Sequence, residues 1–282
     1  STTNGTDKVT LVVDGQEHEF DYVMDCMGFP PSYDQYTLSD CSPVNRCWIH
    51  SLMPDEFTYE PYTDHIATEN GWMFGVPLQS RKTYGYMYND TITDPAEAQK
   101  DMLKILNAPE LDSATGRGIA TKEYLFKCYY SNQLIEGRVG KNGNKALFFE
   151  PLIANSIFLY IYTARLFYDF VLGHAQVQDC NGAFVHAVNQ MEDVISYYYQ
   201  GGAKFDSPFW RHAVPFASKR LEGRGQFKEI MNHYRDLKSR GILHHGPDYT
   251  FAPKTWELVD AALGYGYIDE SKRRVETALA GR

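Results

Sequence analysis

Positive charge is what this sequence is short of. Its 27 Lys and Arg are outnumbered by 36 Asp and Glu, which leaves a formal charge of −9 over 282 residues. Without a cationic excess to displace counterions from phosphates, the balance argues against a nucleic-acid binder of that kind. A polybasic membrane-surface protein falls on the same ground. Long apolar runs are lacking too: the longest, residues 152–172, is broken by Asn155, Arg165 and Asp169. It reads as a buried helix and not as a membrane span. Residues 1–8 are polar and carry no signal-peptide core. The five cysteines, Cys26, Cys41, Cys47, Cys128 and Cys180, are odd in number and include no CxxC pair. That argues against a disulfide framework and a zinc site, and for reduced, mostly buried thiols in a cytoplasmic protein. The histidines have no HxxxH spacing, and His244-His245 reads as a polar turn ahead of Gly246-Pro247. Ser156 and Ser207 lack a nucleophile-elbow context. No metal and no hydrolase chemistry are expected.

What the chain has in quantity is aromatic side chains, with 21 Tyr, 16 Phe and 4 Trp. Such rings fill cores, and they also make flat walls for planar ligands. Strands are expected at 9–13 and 17–24 around an Asp14-Gly15 turn, and at 47–52, 71–78, 83–88 and 122–130. Helices are expected at 94–107, where Thr93-Asp94 can cap and Pro95 suits the first turn, and at 151–173, 182–200, 219–240, 255–263 and 269–280. The expectation is an α+β chain divided near residue 150: a β-rich part over 1–150, then a mainly helical part over 151–282.

Two stretches stand out. In Gly71-Trp72-Met73-Phe74-Gly75-Val76-Pro77-Leu78, period two puts Trp72, Phe74 and Val76 on one strand face. That is either a bulky core face or an aromatic wall beside a planar ligand, and the pattern alone favours the core. Gly143-Asn144-Lys145-Ala146-Leu147-Phe148-Phe149-Glu150-Pro151-Leu152 reads as strand, turn and helix start. A helix start offers unpaired N–H groups and a positive dipole end to an anion, although most such starts bind nothing.

Together these blocks resemble the flavin-dependent tryptophan halogenases. That family carries Trp-x-Trp-x-Ile-Pro where this chain has Trp72-x-Phe74-x-Val76-Pro77, and Phe-Leu-Glu-Pro-Leu where this chain has Phe148-Phe149-Glu150-Pro151-Leu152. Asp25-Cys26-Met27-Gly28 resembles the family's Asp-Cys-Ser-Gly, and Asp206-Ser207-Pro208-Phe209-Trp210 resembles a downstream Asp-x-Pro-Phe-Trp. The resemblance implies a flavin-monooxygenase-like fold. It also implies an enzyme that uses reduced FAD, oxygen and a halide to make hypohalous acid, which reaches an aromatic or heteroaromatic substrate through a tunnel by way of a lysine. A separate flavin reductase prepares the FAD, and a homo-oligomer is expected. Trp72, Phe74, Val76 and Pro77 would form the wall between flavin and substrate. Gly28, Gly143, Asn144, Pro151 and Ile157 would line the flavin, Asn155 and Ser156 would hold the halide, and Glu150, Ile153, Tyr249, Phe251 and Trp256 would face the substrate.

The chain departs from the family in two places. No Gly-x-Gly-x-x-Gly turn seats the FAD pyrophosphate, and the lysine's segment is also missing, so the chain is expected to be roughly the C-terminal three-fifths of a longer fold. After Glu-Pro-Leu the family continues Glu-Ser-Thr-Gly-Ile, where this chain has Ile153-Ala154-Asn155-Ser156-Ile157. Loss of that second carboxylate suits anion binding by neutral donors, with bromide or iodide used at least as well as chloride. The poor match around Tyr249, Phe251 and Trp256 implies a substrate other than free tryptophan. Alternatives are an aromatic monooxygenase of the same fold and a non-catalytic aromatic-binding relative.

Overall fold

The computed structural model describes residues 2–5, 7–108, 119–152 and 156–224, with the side chains of 119–121 excepted. The chain divides into two compact units, one of Ser1–Asp40 with Lys127–Ile195 and the other of Cys41–Phe126 with Ser196–Arg282. In chain order the first elements are β1 (Thr2–Asn4), β2 (Val9–Val13), β3 (Gln16–Phe20), β4 (Val23–Asp25) and β5 (Tyr36–Leu38). Then come β6 (Arg46–Leu52), β7 (Asp64–Thr68), β8 (Gly71–Pro77), β9 (Lys82–Tyr88) and the helix α1 (Pro95–Ile105). Next are β10 (Ile119–Leu125), β11 (Tyr129–Ser131), β12 (Ile135–Glu136), β13 (Val139–Lys141) and β14 (Leu147–Phe148). Three helices follow: α2 (Ser156–Val171), α3 (Val177–Gln200) and α4 (Pro208–Glu222). The α+β class is as expected.

The first unit holds three small sheets, ordered β1-β2-β3, β14-β11-β5 and β12-β13-β4. Asp14 and Gly15 both have positive φ (51° and 79°), which is the geometry that joins two strands by a two-residue turn. The returning strand stops at Phe20 instead of continuing to residue 24. All five residues of β3 are exposed, so no buried face carries the pairing onward. Val23–Asp25 instead enters another sheet, parallel to β13, with Val23 opposite Val139 and Asp25 opposite Lys141.

In the second unit five strands, ordered β10-β6-β9-β8-β7, form a wholly antiparallel sheet. Asp94 caps α1 by accepting from the Ala96 N–H, with Pro95 in the first turn, as the sequence suggests. The helix lays Ala98, Met102 and Leu103 on Met73, Tyr84, Tyr86 and Tyr88. Tyr86 is fully buried, and its hydroxyl accepts from Thr68 and donates to Asp101 of α1 at 2.5 Å, tying helix to sheet. On the same face Lys82, 4% exposed, pairs with Asp64 at 2.7 Å.

Several expected boundaries move. Helix α2 starts at Ser156, and Pro151 and Leu152, expected in its first turn, lie outside it. The strand expected at 122–130 is two, β10 and β11, in different sheets; between them Phe126 N–H donates to Asn45 and Cys128 C=O accepts from Ser39. Helix α3 starts at Val177, ahead of residue 182. Helix α4 starts at Pro208 and not near 219, because Ser207 caps it by accepting from the Trp210 N–H. Strand β7 was not expected at all. The helices expected at 255–263 and 269–280 lie outside the described residues. Four cysteines are buried, Cys26 is exposed and none of the five is in a disulfide; burial pushes the Cys47 thiol up to about 12. Among the described residues no helix is long and apolar enough to cross a membrane.

Candidate active site

The four residues expected to form the wall, Trp72, Phe74, Val76 and Pro77, lie in the second unit. Strand alternation puts Trp72, Phe74 and Val76 on the sheet face opposite α1, with Met73 and Gly75 on the α1 side. Trp72 is 4% exposed, and its Nε1–H donates to the Tyr199 hydroxyl at 2.8 Å, which fixes the indole plane. Tyr199 is itself wedged against Phe209 and Trp210, with ring centroids 6.5 and 6.4 Å away. Trp210 Nε1–H donates to the Thr68 carbonyl and Ser207 Oγ–H to the Glu69 carbonyl, so the Asp206–Trp210 block anchors α4 beside the β7–β8 turn. Phe74 lies 6.0 Å from Trp72 and directly over Gly85, where a Cβ would stand 2.1 Å from its ring. Only a residue without a side chain fits beneath that ring. Exposure rises along the strand, from buried Trp72 through half-buried Phe74 to exposed Val76.

The residues expected to line a flavin lie, where described, in the first unit. Strands β4 and β13 are parallel, so Asp25 and Lys141 end them side by side, and the segments that follow contain Gly28 and Gly143. Both glycines have positive φ (78° and 60°), and apart from their chain neighbours no atom of the described residues lies within 4 Å of where their Cβ would be. Ligands of open α/β sheets bind beyond the carboxyl ends of such strands. The loop is pinned: Asn142 N–H donates to Asp25 C=O, and Lys145 pairs with Asp25 at 3.3 Å. Tyr160 and Thr163 of α2 donate to the Asn144 and Asn142 side chains at 2.6 and 2.7 Å. Tyr129 donates to the Asn144 carbonyl. Glu150 is buried, Pro151 half-buried, and Ile157, in the first turn of α2, is 70% exposed. Ser156 opens α2.

Thus Gly143, Asn144, Ser156 and Ile157 fall on one fastened loop-and-helix, and Gly28 follows its neighbouring strand. Ile153, Asn155, Tyr249, Phe251 and Trp256 lie outside the described residues. Sequence reasoning missed Tyr199, His65 and the Asp64–Lys82 pair. His65 sits opposite Phe74 in the β7–β8 register, on the wall face, with its ring 6.0 Å from Trp72. Alternation in β7 was the signal for it, but Asp64 and Thr68 on the other face hid the pattern. Burial pulls the His65 imidazole below its ordinary value, and the weaker opposing pull of Asp64 does not offset this.

The fold is that of solved flavin-dependent halogenases. One from Xanthomonas campestris superposes with a TM-score of 0.64 at 18% identity, covering 99% of this chain and 60% of that one. The tryptophan 6-halogenase SttH from Streptomyces toxytricini gives 0.61 at 20% identity, covering 74% of this chain and 43% of that one. The chain belongs to the tryptophan halogenase family, whose sequence profile matches residues 2–280. Tryptophan 7-halogenase RebH of Lentzea aerocolonigenes is 23% identical across 96% of this chain. The chain spans 49% of that relative's length.

Proposed function

We propose that the protein is a flavin-dependent halogenase acting on an aromatic or heteroaromatic substrate other than free tryptophan, with chloride, bromide or iodide as halide. The observation that carries this reading is the ring wall, Trp72 locked by Tyr199 and Phe74 seated on Gly85, in a chain of this family. A rigid apolar wall lets a small oxidant be used on the substrate side while the substrate ring and water are kept from the flavin.

The residues present suit a flavin. Open space stands where Gly28 and Gly143 would carry side chains, so a flat ring can approach the backbone there. Gly28, Gly143, Asn144, Pro151 and Ile157 would hold it, and reduced FAD, when bound, supplies the two electrons that oxygen takes up. Asn155 and Ser156 take the halide. Ser156 opens α2, and the unpaired N–H groups of a helix start favour an anion. Glu150, Ile153, Tyr249, Phe251 and Trp256 are the residues assigned to the substrate in this reading. A separate reductase supplies reduced flavin.

The test is product analysis by mass spectrometry of the full-length protein with a flavin reductase, FAD, bromide and indole or phenol. Brominated product is expected, and Trp72→Ala or Phe74→Ala should lower it and raise hydroxylated product. Hydroxylation alone by the parent would assign the protein to the monooxygenases instead.

A further inference from the structure

The open end of the ring wall carries one polar group that neither the motif nor the fold accounts for. His65 lies opposite Phe74 on the wall face, half-buried, edge-on to Trp72 at 69°. Neither ring nitrogen has a hydrogen-bond partner among the described residues. Two other polar side chains at that end of the face, Thr83 opposite Val76 and Ser51 opposite Thr83, are already engaged, with each other at 2.9 Å and, for Thr83, with Arg81 at 3.3 Å. Burial keeps the imidazole neutral near pH 7, so one of its nitrogens is an unused acceptor. The ring is held against Trp72 and only half-buried, so a nitrogen stays within reach of a planar ligand lying on Phe74.

We propose that His65 is a specificity-determining residue that accepts a hydrogen bond from the N–H or O–H of the aromatic substrate resting against Phe74. This rests on the wall reading above and names what that wall selects. Rings electron-rich enough for electrophilic halogenation, such as phenols, indoles and pyrroles, carry that donor on or beside the ring. An acceptor on the donor hydrogen both holds such a ring and leaves its electron density high. A donor-free ring of the same shape would leave the imidazole unpaired and bind less well.

The probes are pairs differing only in the donor, indole against 1-methylindole and phenol against anisole. In the full-length protein with its reductase, the parent should favour the donor-bearing member of each pair in kcat/KM. His65→Phe, which keeps a ring against Trp72, should shrink that preference roughly tenfold or more, chiefly through KM. His65→Gln, which restores an acceptor, should recover part of it. A second readout does not need turnover: indole, but not 1-methylindole, should shift the imidazole 15N resonances of His65, assigned by their loss in His65→Phe. An unchanged preference in His65→Phe with unmoved 15N resonances overturns the proposal, even if Trp72→Ala still lowers halogenation. If Trp72→Ala and Phe74→Ala leave halogenation intact, the wall reading itself fails, and the role of His65 falls with it.

Discussion

Replacing Gly85 with alanine tests the wall without truncating either of its rings. The added Cβ would stand 2.1 and 2.2 Å from two ring carbons of Phe74. An ordinary carbon–carbon contact is about 3.6 Å, so the ring must move by roughly 1.5 Å. Phe74 is only half-buried and can swing outward, away from its 6.0 Å contact with Trp72. Overpacking of this kind costs about 1–3 kcal/mol, offset by about 0.5–1 kcal/mol from removing a glycine inside a strand. A net loss of about 1 kcal/mol is therefore expected, a few degrees in thermal melting. The functional change should be larger than the stability change, with less halogenated and more hydroxylated product. Gly75→Ala is the control. Its Cβ would meet Tyr84 at 2.5 Å and Asp64 at 2.7 Å on the opposite face, so it should melt lower without altering the product ratio. If Gly85→Ala melts like the parent and keeps its product ratio, Phe74 does not depend on Gly85 and the reasoning is wrong.

Lys82→Met alone should strip the half-buried Asp64 carboxylate of its partner and cost about 1.5–3 kcal/mol in a urea melt, while Lys82→Met with Asp64→Leu should recover most of it. Equal losses in the single and double variants would show the pair to be solvated. Arg46 and Asn45 each hold Asp90 at 2.7 Å and keep its carboxyl below the ordinary 3.8. That stabilisation is complete above pH ~4 and lost as pH falls through the lower folded value, so Asp90→Asn should flatten the acid limb of a pH–stability curve. Ser207→Ala should cost about 1–2 kcal/mol, since it removes both the α4 cap and the donor to Glu69; an unchanged melt would mean that Pro208 suffices to start the helix. Calorimetric titration of this chain with reduced FAD should show weak binding or none, because the sequence has no pyrophosphate-binding glycine turn; a low-micromolar dissociation constant would contradict that.

Where local chemistry decides, the sequence was legible. The Asp14-Gly15 turn, the Asp94 cap and the alternation of Trp72 and Phe74 all follow from backbone preference and period. Partnership across long separations was not. Nothing local in residues 23–25 announces a parallel partner at 139–141, so β4 read as the tail of the hairpin. The Asp206–Trp210 block read as a family mark, while its physical work, a serine cap and a tryptophan N–H on a distant carbonyl, needs coordinates. Tyr199 is one of three consecutive tyrosines, and only geometry says which of them reaches Trp72.

The split of the chain into units has a consequence for biogenesis. Residues 46–125 supply every strand of the five-stranded sheet from one continuous stretch, so that sheet can pair while the rest of the protein is still on the ribosome. The surrounding unit cannot. Its parallel pair joins Val23 to Val139, and Ser39 bonds to Cys128 where the chain leaves and returns. Those contacts wait for the long intervening stretch to be made, and closing them is slow unless the insert has already folded and brought its ends together. Variants that destabilise the inserted sheet should therefore lower the yield of soluble protein through the other unit, as exposed β4 and β5 edges seek partners during synthesis.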